Sequence, residues 1–468
     1  MKAGSIALAV VTAALAAGCA LGLLHLLCII DLRIPFDPNE GWNAAFARLA
    51  MTTGSPYPPQ ASLMIDNYPP LSFYVVAALA RFGGDPIFVG RWLALASLLA
   101  VAAGIAAAAL RMGCGRCEAA FAALFFLGVV MATTGYAGMD DPQMLGHAIA
   151  IGGLLLVLRE PRTPRAVLGA ALLFTVAFLV KHNLVVLPAA LALWLALLDR
   201  RLAVTFAASG IVFALIAMGL FKQAFGVGLL HQIESARTYS FANLGNNLRT
   251  WLAWSFVPLA GAVLLFAIGR RDRHAMLCVI YAALATLAGT YFLGGAGVDF
   301  NAMFDADIAL ALSAGVLMNR LEGGLRRSAA ALAYAVPFLI ALGSLDADWR
   351  SADFWSHPGA QEQAVAAQQI AMIRDAKGPV ICEMLSLCLW ADKPAEVDVF
   401  NLGQAYLTGA RSDRDFVRAI DARHYALIEL ESGEPFPFTQ AVQAALARGY
   451  RIVRQDDDRA FYAPNRAP

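Results

Sequence analysis

Charge is scarce in this chain. Of its 468 residues only 15% are Asp, Glu, Lys or Arg, 59% are hydrophobic, and the mean hydropathy is +0.62. Soluble globular domains carry about 25% charged residues, so that class is excluded and a polytopic membrane protein is expected. The formal net charge is only +1 and no nucleic-acid footprint is visible, which removes nucleic acid from the expected partners. No internal repeat of the kind that halves many transporters is found. The polar C-terminal segment has neither a P-loop nor a nucleotide-binding glycine fingerprint. The seven cysteines are scattered. Cys19, Cys28 and Cys278 lie inside apolar runs, and the C-x-x-C of Cys114 and Cys117 lacks a second ligand pair, which argues against a metal or redox site there. Cys382 and Cys388 are candidates for a disulfide if their segment is extracytoplasmic.

Apolar runs, by contrast, are abundant. They occur at about 6–30, 88–110, 119–135, 143–158, 166–180, 184–198, 203–221, 251–269, 275–293, 304–318 and 328–344, which predicts about eleven spans. Several are shorter than the roughly 20 residues of a straight crossing, so those helices are expected to extend into polar flanks. The first run is longer than the apolar core of a secretory signal and has no convincing cleavage site, and it continues well past the lipoprotein-like "AAGC" at Cys19. A retained first helix is expected.

Arginine position sets the orientation, because basic residues in short loops stay cytoplasmic. "RMGCGR", "REPRTPR", "DRR", "GRRDRH" and "NRLEGGLRR" alternate with loops such as "GYAGMDD" and "GGAGVDFNAMFD" that hold no Lys or Arg. The N-terminus is therefore expected inside and the C-terminal tail outside, in a multi-pass plasma (inner) membrane. The stretch Leu71 to Phe82, entered through Pro69 and Pro70, is too short to span and reads as an interfacial helix in a first outer loop covering 31–87. Past 345 the character changes. "PVICEML", "EVDVF", "HYALIEL", "YRIVRQ" and "RAFYAP" read as strands and 411–421 and 438–448 as helices, so 346–468 is expected to be a small outer α/β domain beyond a membrane domain at 1–345.

The polar residues that remain collect on the outer face. Asp140 and Asp141 share one short loop, where two adjacent carboxylates need a cation, donors or water to coexist. They also suit a helix N-cap before Pro142. Asp37 and Glu40 follow the first span, and Glu40 with Asn43 suits the acidic start of an interfacial or solvated helix. Lys181, His182 and Asn183 sit at an outer hairpin, where the ammonium can snorkel or neutralise a lipid phosphate. Asp299 and Asn301 are placed to bind sugar hydroxyls, whereas Asp305 and Asp307 suit caps of the tenth span. His231, Glu234, Arg237 and Asn243 occupy a longer loop with room to cover a cavity.

Four motifs occur in order: "DPNEGWNA", "DNYPPLSFY", "YAGMDDPQML" and "FLVKHN". In this the chain resembles the GT-C membrane glycosyltransferases, especially the group containing protein O-mannosyltransferases and lipid A aminoarabinose transferases. The motifs cover roughly residues 1 to 200. The resemblance implies transfer of a sugar, usually with inversion, from a polyprenyl-phosphate carrier to an acceptor (lipid, glycan or protein) at the outer membrane surface. It implies a catalytic set of Asp37, Glu40, Asp140 and Asp141, with the base open between Asp37 and Glu40, and a divalent cation (Mg or Mn) at Asp140 and Asp141. Substrate contacts are implied for Asp66, Asn67, Tyr68, Tyr136, Lys181, His182, Asn183, His231, Arg237, Asp299 and Asn301. Departures from the family pattern are clear: Asn39 replaces the acid before Glu40, Tyr68 stands where relatives place Lys or His before two prolines, and His-Asn follows Lys181 instead of Gly-Pro. Two other classes fit the residues alone: a transporter or flippase of a lipid-linked glycan, and a non-catalytic assembly factor whose outer domain binds a partner.

Overall fold

The structure, a computed structural model, describes residues 3–226, 237–344, 355–432, 438–456 and 458–465. His231, Glu234 and the expected domain boundary at 345/346 lie outside the described residues. The long first helix α1 (Ala3–Ile29) is followed by two short helices, α2 (Pro38–Thr53) and α3 (Leu71–Ala80). Then come α4 (Pro86–Arg111), α5 (Arg116–Thr133), α6 (Gln143–Val157), α7 (Pro164–Val180), α8 (Val186–Leu198), α9 (Arg200–Phe225), α10 (Phe241–Ile268) and α11 (Arg273–Phe292). A 3-10 turn at Phe300–Met303 leads into α12 (Phe304–Arg320), and α13 (Gly324–Ser344) closes the bundle.

Each of the eleven apolar runs thus becomes a helix, and seven helical segments are long and apolar enough to cross a membrane. Helices α6, α7 and α8 have only 15, 17 and 13 residues. The stretch expected to lie in the interface is the ten-residue α3. Local chemistry sets several starts. Asp37, Asp85 and Thr163 each precede a proline and accept a backbone N–H of the first turn with their side chains.

Burial separates the helices. In the membrane-length segment Phe300–Arg320, 83% of the most apolar window is buried, against 11% for α9. The central helix is therefore surrounded by protein and tolerates polar groups that lipid would not. Asp305 accepts from the Tyr281 hydroxyl at 2.5 Å and Asp307 from Trp251 Nε1 at 3.1 Å. The expectation that these two acids only cap the tenth span is corrected: both are buried and bound by aromatic donors from α11 and α10.

The C-terminal unit comprises α14 (Ala360–Asp375), β1 (Val380–Cys382), α15 (Leu385–Trp390), α16 (Val399–Leu407), α17 (Arg414–Asp421), β2 (Leu427–Glu431), α18 (Gln440–Gly449), β3 (Tyr450–Gln455) and β4 (Arg459–Pro464). Its sheet has the order β1-β2-β4-β3, with β1 parallel to β2 and the other pairs antiparallel. Two strand expectations are corrected. "EVDVF" alternates like a strand, but Asp398 caps α16 by accepting the Asn401 N–H, and only Val397 pairs, in an isolated parallel bridge with Leu63. "PVICEML" stops pairing after Cys382, where the chain turns into α15 and the Cys382–Cys388 disulfide forms. Helix α14 falls in a stretch that reads as merely polar, and Ile370 and Ile373, one turn apart, bury its inner face.

This unit sits directly on the first loop. Trp390 Nε1 donates to Asp85 Oδ2 at 3.0 Å, and the Asp398 N–H donates to the Leu63 carbonyl at 3.1 Å. At Gly41 of α2 a Cβ would lie 2.1 Å from Ser386 N and 2.7 Å from Leu385 C, so α15 rests on a side-chain-free patch. Alanine gains roughly 1 kcal/mol of helix propensity over glycine. Backbone overlap of this size costs more, about 1–3 kcal/mol. Gly41→Ala is therefore expected to lower the thermal unfolding midpoint in detergent, and an unchanged or raised midpoint would contradict this packing.

Candidate active site

The site is built on a buried ion pair. Glu40, in the first turn of α2, and Arg91, early in α4, are both fully buried. Arg91 Nε donates to Glu40 Oε2 at 2.9 Å and Nη2 to Oε1 at 2.6 Å. Its remaining donors reach the carbonyls of Ile30, Leu32 and Ile34 at 3.1, 2.9 and 2.5 Å. Glu40 further accepts the N–H of Phe36 at 2.9 Å and that of Asp140. One guanidinium thus fixes the chain leaving α1, and one carboxylate fixes the start of α2 and the aspartate loop. This corrects the expectation that Glu40 lies on a solvated helix: the side chain has no free face for a substrate.

The adjacent aspartates point to different places. Asp140 is buried and its backbone carbonyl accepts from Asn43 Nδ2 at 2.8 Å. Its carboxyl faces a small void of about 10 Å³ shared with Ser72 and Asn43, room for one water. Burial first, and the charges of Glu40 and Asp141 second, hold this carboxyl well above the usual carboxylate range. Asp141 caps the following helix, accepting the Gln143 N–H at 2.7 Å, while its other oxygen is 3.3 Å from Lys181 Nζ. Lys181 also lies 3.6 Å from the Tyr68 ring centre.

That arrangement bears on the expected divalent cation. A cation at Asp140 and Asp141 needs both carboxylates turned to one point, but one is buried beside Ser72 and Asn43 and the other already meets an ammonium. Among the described residues no three His, Cys, Asp or Glu side chains converge. The residues do not fit such an ion, and no step is routed through one.

Lys181 opens instead onto a cavity of about 510 Å³. Asn67, Tyr68, His182, Asn183, Arg237 and Asn301 line it with Lys181, bringing together six of the expected substrate contacts besides the lysine. Burial and the Lys181 and Arg237 charges push His182 down to about 4, so its imidazole is neutral at pH 7. His182 Nδ1 and Asn183 Oδ1 are buried without a protein hydrogen bond, free for a ligand's hydroxyls. Arg237 donates to the Ala296 carbonyl at 3.3 Å and to Asn401 Oδ1 at 3.4 Å, both neutral acceptors, and its charge acts on the Asp398 carboxyl behind Asn401.

Asp37, the cap of α2, is not part of the cavity lining. One oxygen accepts the Asn39 N–H at 2.8 Å. Burial, against that hydrogen bond and with the charges of Asp141, Asp299 and Glu40, pushes its carboxyl up to about 6. Asp299 is raised as well by burial, and Tyr136, buried nearby, is raised by burial and by the charges of Asp141, Asp299 and Asp37. Asp66 falls outside the cavity: fully buried, it accepts the Tyr68 N–H at 2.8 Å and shapes the turn that presents Asn67 and Tyr68.

Several residues of the site are absent from the expectations above. Arg91 had a sequence signal, as a lone arginine inside an apolar run, which by default needs a partner. Thr238, Asp398, Asn401 and Gln404 had none.

The fold is that of the GT-C membrane glycosyltransferases. Residues 67–221 match the family model described as dolichyl-phosphate-mannose-protein mannosyltransferase. The chain is similar to the solved structure of ArnT from Cupriavidus metallidurans bound to undecaprenyl phosphate, with 16% identity and a TM-score of 0.61 over 97% of this chain and 99% of that one. It also resembles the Archaeoglobus fulgidus oligosaccharyltransferase tethered with an acceptor peptide, with 10% identity and a TM-score of 0.52 over 97% of this chain and 74% of that one. No curated protein matches the chain.

Breaking a buried pair by removing one partner costs roughly 3–5 kcal/mol, because the other charge remains stranded. Arg91→Ala is expected to abolish monodisperse folded protein in size-exclusion chromatography, and Glu40→Leu with Arg91→Met to restore much of it. A well-folded Arg91→Ala protein would contradict the role assigned to the pair.

Proposed function

We propose that the chain transfers a sugar from a polyprenyl-phosphate carrier to an acceptor on the extracytoplasmic face, with inversion at the anomeric carbon. The observation that carries this reading is the cavity itself. Two cations, Lys181 and Arg237, line one cavity, and Asp37, with its carboxyl near 6, feels the charge of Asp141, the partner of Lys181. The cavity also continues into apolar surface: Val185 lines both it and a groove of about 270 Å³ between α7, α8 and α9. A phosphate in the cavity with its isoprenoid tail in the groove suits that continuity.

Asp37 acts as the base. As the acceptor hydroxyl oxygen bonds to the anomeric carbon, its proton passes to the Asp37 carboxylate. The bond from that carbon to the phosphate oxygen breaks, and the electron pair leaves on the polyprenyl phosphate. Lys181 and Arg237 stabilise the charge that builds there. Glu40, fully engaged by Arg91, is set aside as base, which favours Asp37. His182 and Asn183 hold sugar hydroxyls through their unpartnered atoms, with Asn67, Asn301 and Asp299 around them. Asp141 keeps Lys181 in place, and Asp140 is structural. The Cys382–Cys388 disulfide supports an outer location for the C-terminal unit. Membrane lipids surround the bundle, and the acceptor's identity is left open.

Transfer from a radiolabelled polyprenyl-phosphate sugar in membranes tests the assignment. Asp37→Asn is expected to lower turnover by roughly 10²–10⁴-fold, the usual worth of a general base. Asp140→Asn, at a carboxyl that burial holds well above the usual carboxylate range and that does not line the cavity, is expected to stay within a few-fold of wild type. Because the base must be ionised, the rate should fall as pH drops through about 6 and level off above it. Wild-type turnover in Asp37→Asn would overturn the reading.

A further inference from the structure

Helix α16 belongs to the C-terminal unit, yet three of its residues grip the wall of the cavity. Gln404 Oε1 accepts from Thr238 N at 3.0 Å and from Thr238 Oγ1 at 2.9 Å. The Phe400 ring fills the space a side chain would take at Gly297, 2.2 Å from the site of the missing Cβ, and lies 5.4 Å from the Arg237 guanidinium. Gly297 has φ +64°, so a larger residue is disfavoured there on both counts. Asn401 is the central element. Its Nδ2 donates to Asp398 Oδ2 at 2.7 Å, which fixes the orientation of the amide. Asn401 Oδ1 therefore faces the other way, accepting from Arg237 Nη2 at 3.4 Å and from Asn67 Nδ2 at 3.3 Å. Asp398 is itself held by Trp42 Nε1 at 2.8 Å, tying the arrangement to α2.

We propose that Asn401 is a positioning residue for the anionic headgroup of the carrier lipid: its amide oxygen, oriented by Asp398, aims Arg237 into the cavity. The inference rests on the phosphate reading above. Asn401 is buried and absent from the cavity lining, so it acts through Arg237 and does not meet the ligand. The chemistry of the acceptor matters. A carboxylate in direct contact would pair with the guanidinium, whereas an amide oxygen gives direction and keeps the Asp398 carboxyl one residue removed. The C-terminal unit thereby sets the affinity of a site formed mainly by the helix bundle.

A double-mutant cycle on the full-length protein in nanodiscs tests this, with undecaprenyl phosphate as the probe and the uncharged undecaprenol as control. Arg237→Ala is expected to weaken undecaprenyl phosphate binding by roughly 10- to 100-fold, as for a hydrogen-bonded charge. Asn401→Ala is expected to weaken it by roughly 3- to 10-fold, to leave undecaprenol binding unchanged, and to have no further effect when Arg237 is already alanine. If Asn401→Ala unfolds the protein, judged by its unfolding midpoint, Asn401→Ser serves in the same cycle. Equal loss from the Asn401 change in both backgrounds, or equal loss for both lipids, overturns the positioning role while the phosphate reading stands. No effect of Arg237→Ala on undecaprenyl phosphate overturns both.

Discussion

A carboxylate removed from water has to be matched. Glu40 is matched by Arg91, and the rest of the site depends on that pairing. The guanidinium gathers the carbonyls of Ile30, Leu32 and Ile34, and the carboxylate gathers the N–H groups of Phe36 and Asp140. Three chain segments far apart in sequence are thereby held together with no charge left over. Buried pairs add little net stability by comparison with apolar packing, but they impose one arrangement. Here that arrangement frees Asp37, four residues before α2's first turn is complete, from any strong cationic partner and leaves it with a carboxyl near 6.

Cations elsewhere are distributed by the same logic. Lys181 is half engaged, between Asp141 and the face of Tyr68. Arg237 donates to neutral oxygens and lies over the Phe400 ring, with the Asp398 carboxyl behind Asn401. Tyr68 stands where relatives place Lys or His, and the Lys181 ammonium over its ring restores a cation near that position by a different route.

Much of the fold was legible because membrane helices announce themselves by hydrophobicity. All eleven apolar runs became helices, and the short stretch after Pro70 became α3. The C-terminal unit was harder. "EVDVF" carries a strand's alternation, but a single capping aspartate, Asp398, decided for helix. The site was legible in its membership more than in its roles. Lys181, His182, Asn183, Arg237 and Asn301 do share a cavity. Side-by-side Asp140 and Asp141 suggested a shared cation, whereas alternate backbone directions send them to opposite surroundings. Which carboxylate is free and which is neutralised depends on Arg91, a partner 51 residues from Glu40 in sequence. Asn401 and Gln404 gave no signal at all, since an ordinary polar helix face looks the same whether it meets solvent or an arginine.

The central claim is that one cavity binds a lipid-borne phosphate between Lys181 and Arg237. A cryo-electron microscopy structure of the protein with undecaprenyl phosphate is its most direct test. The account predicts phosphate density within hydrogen-bond reach of both side chains, with the isoprenoid running past Val185 into the groove between α7, α8 and α9. Phosphate density elsewhere on the protein, with this cavity unfilled at saturating lipid, would contradict it.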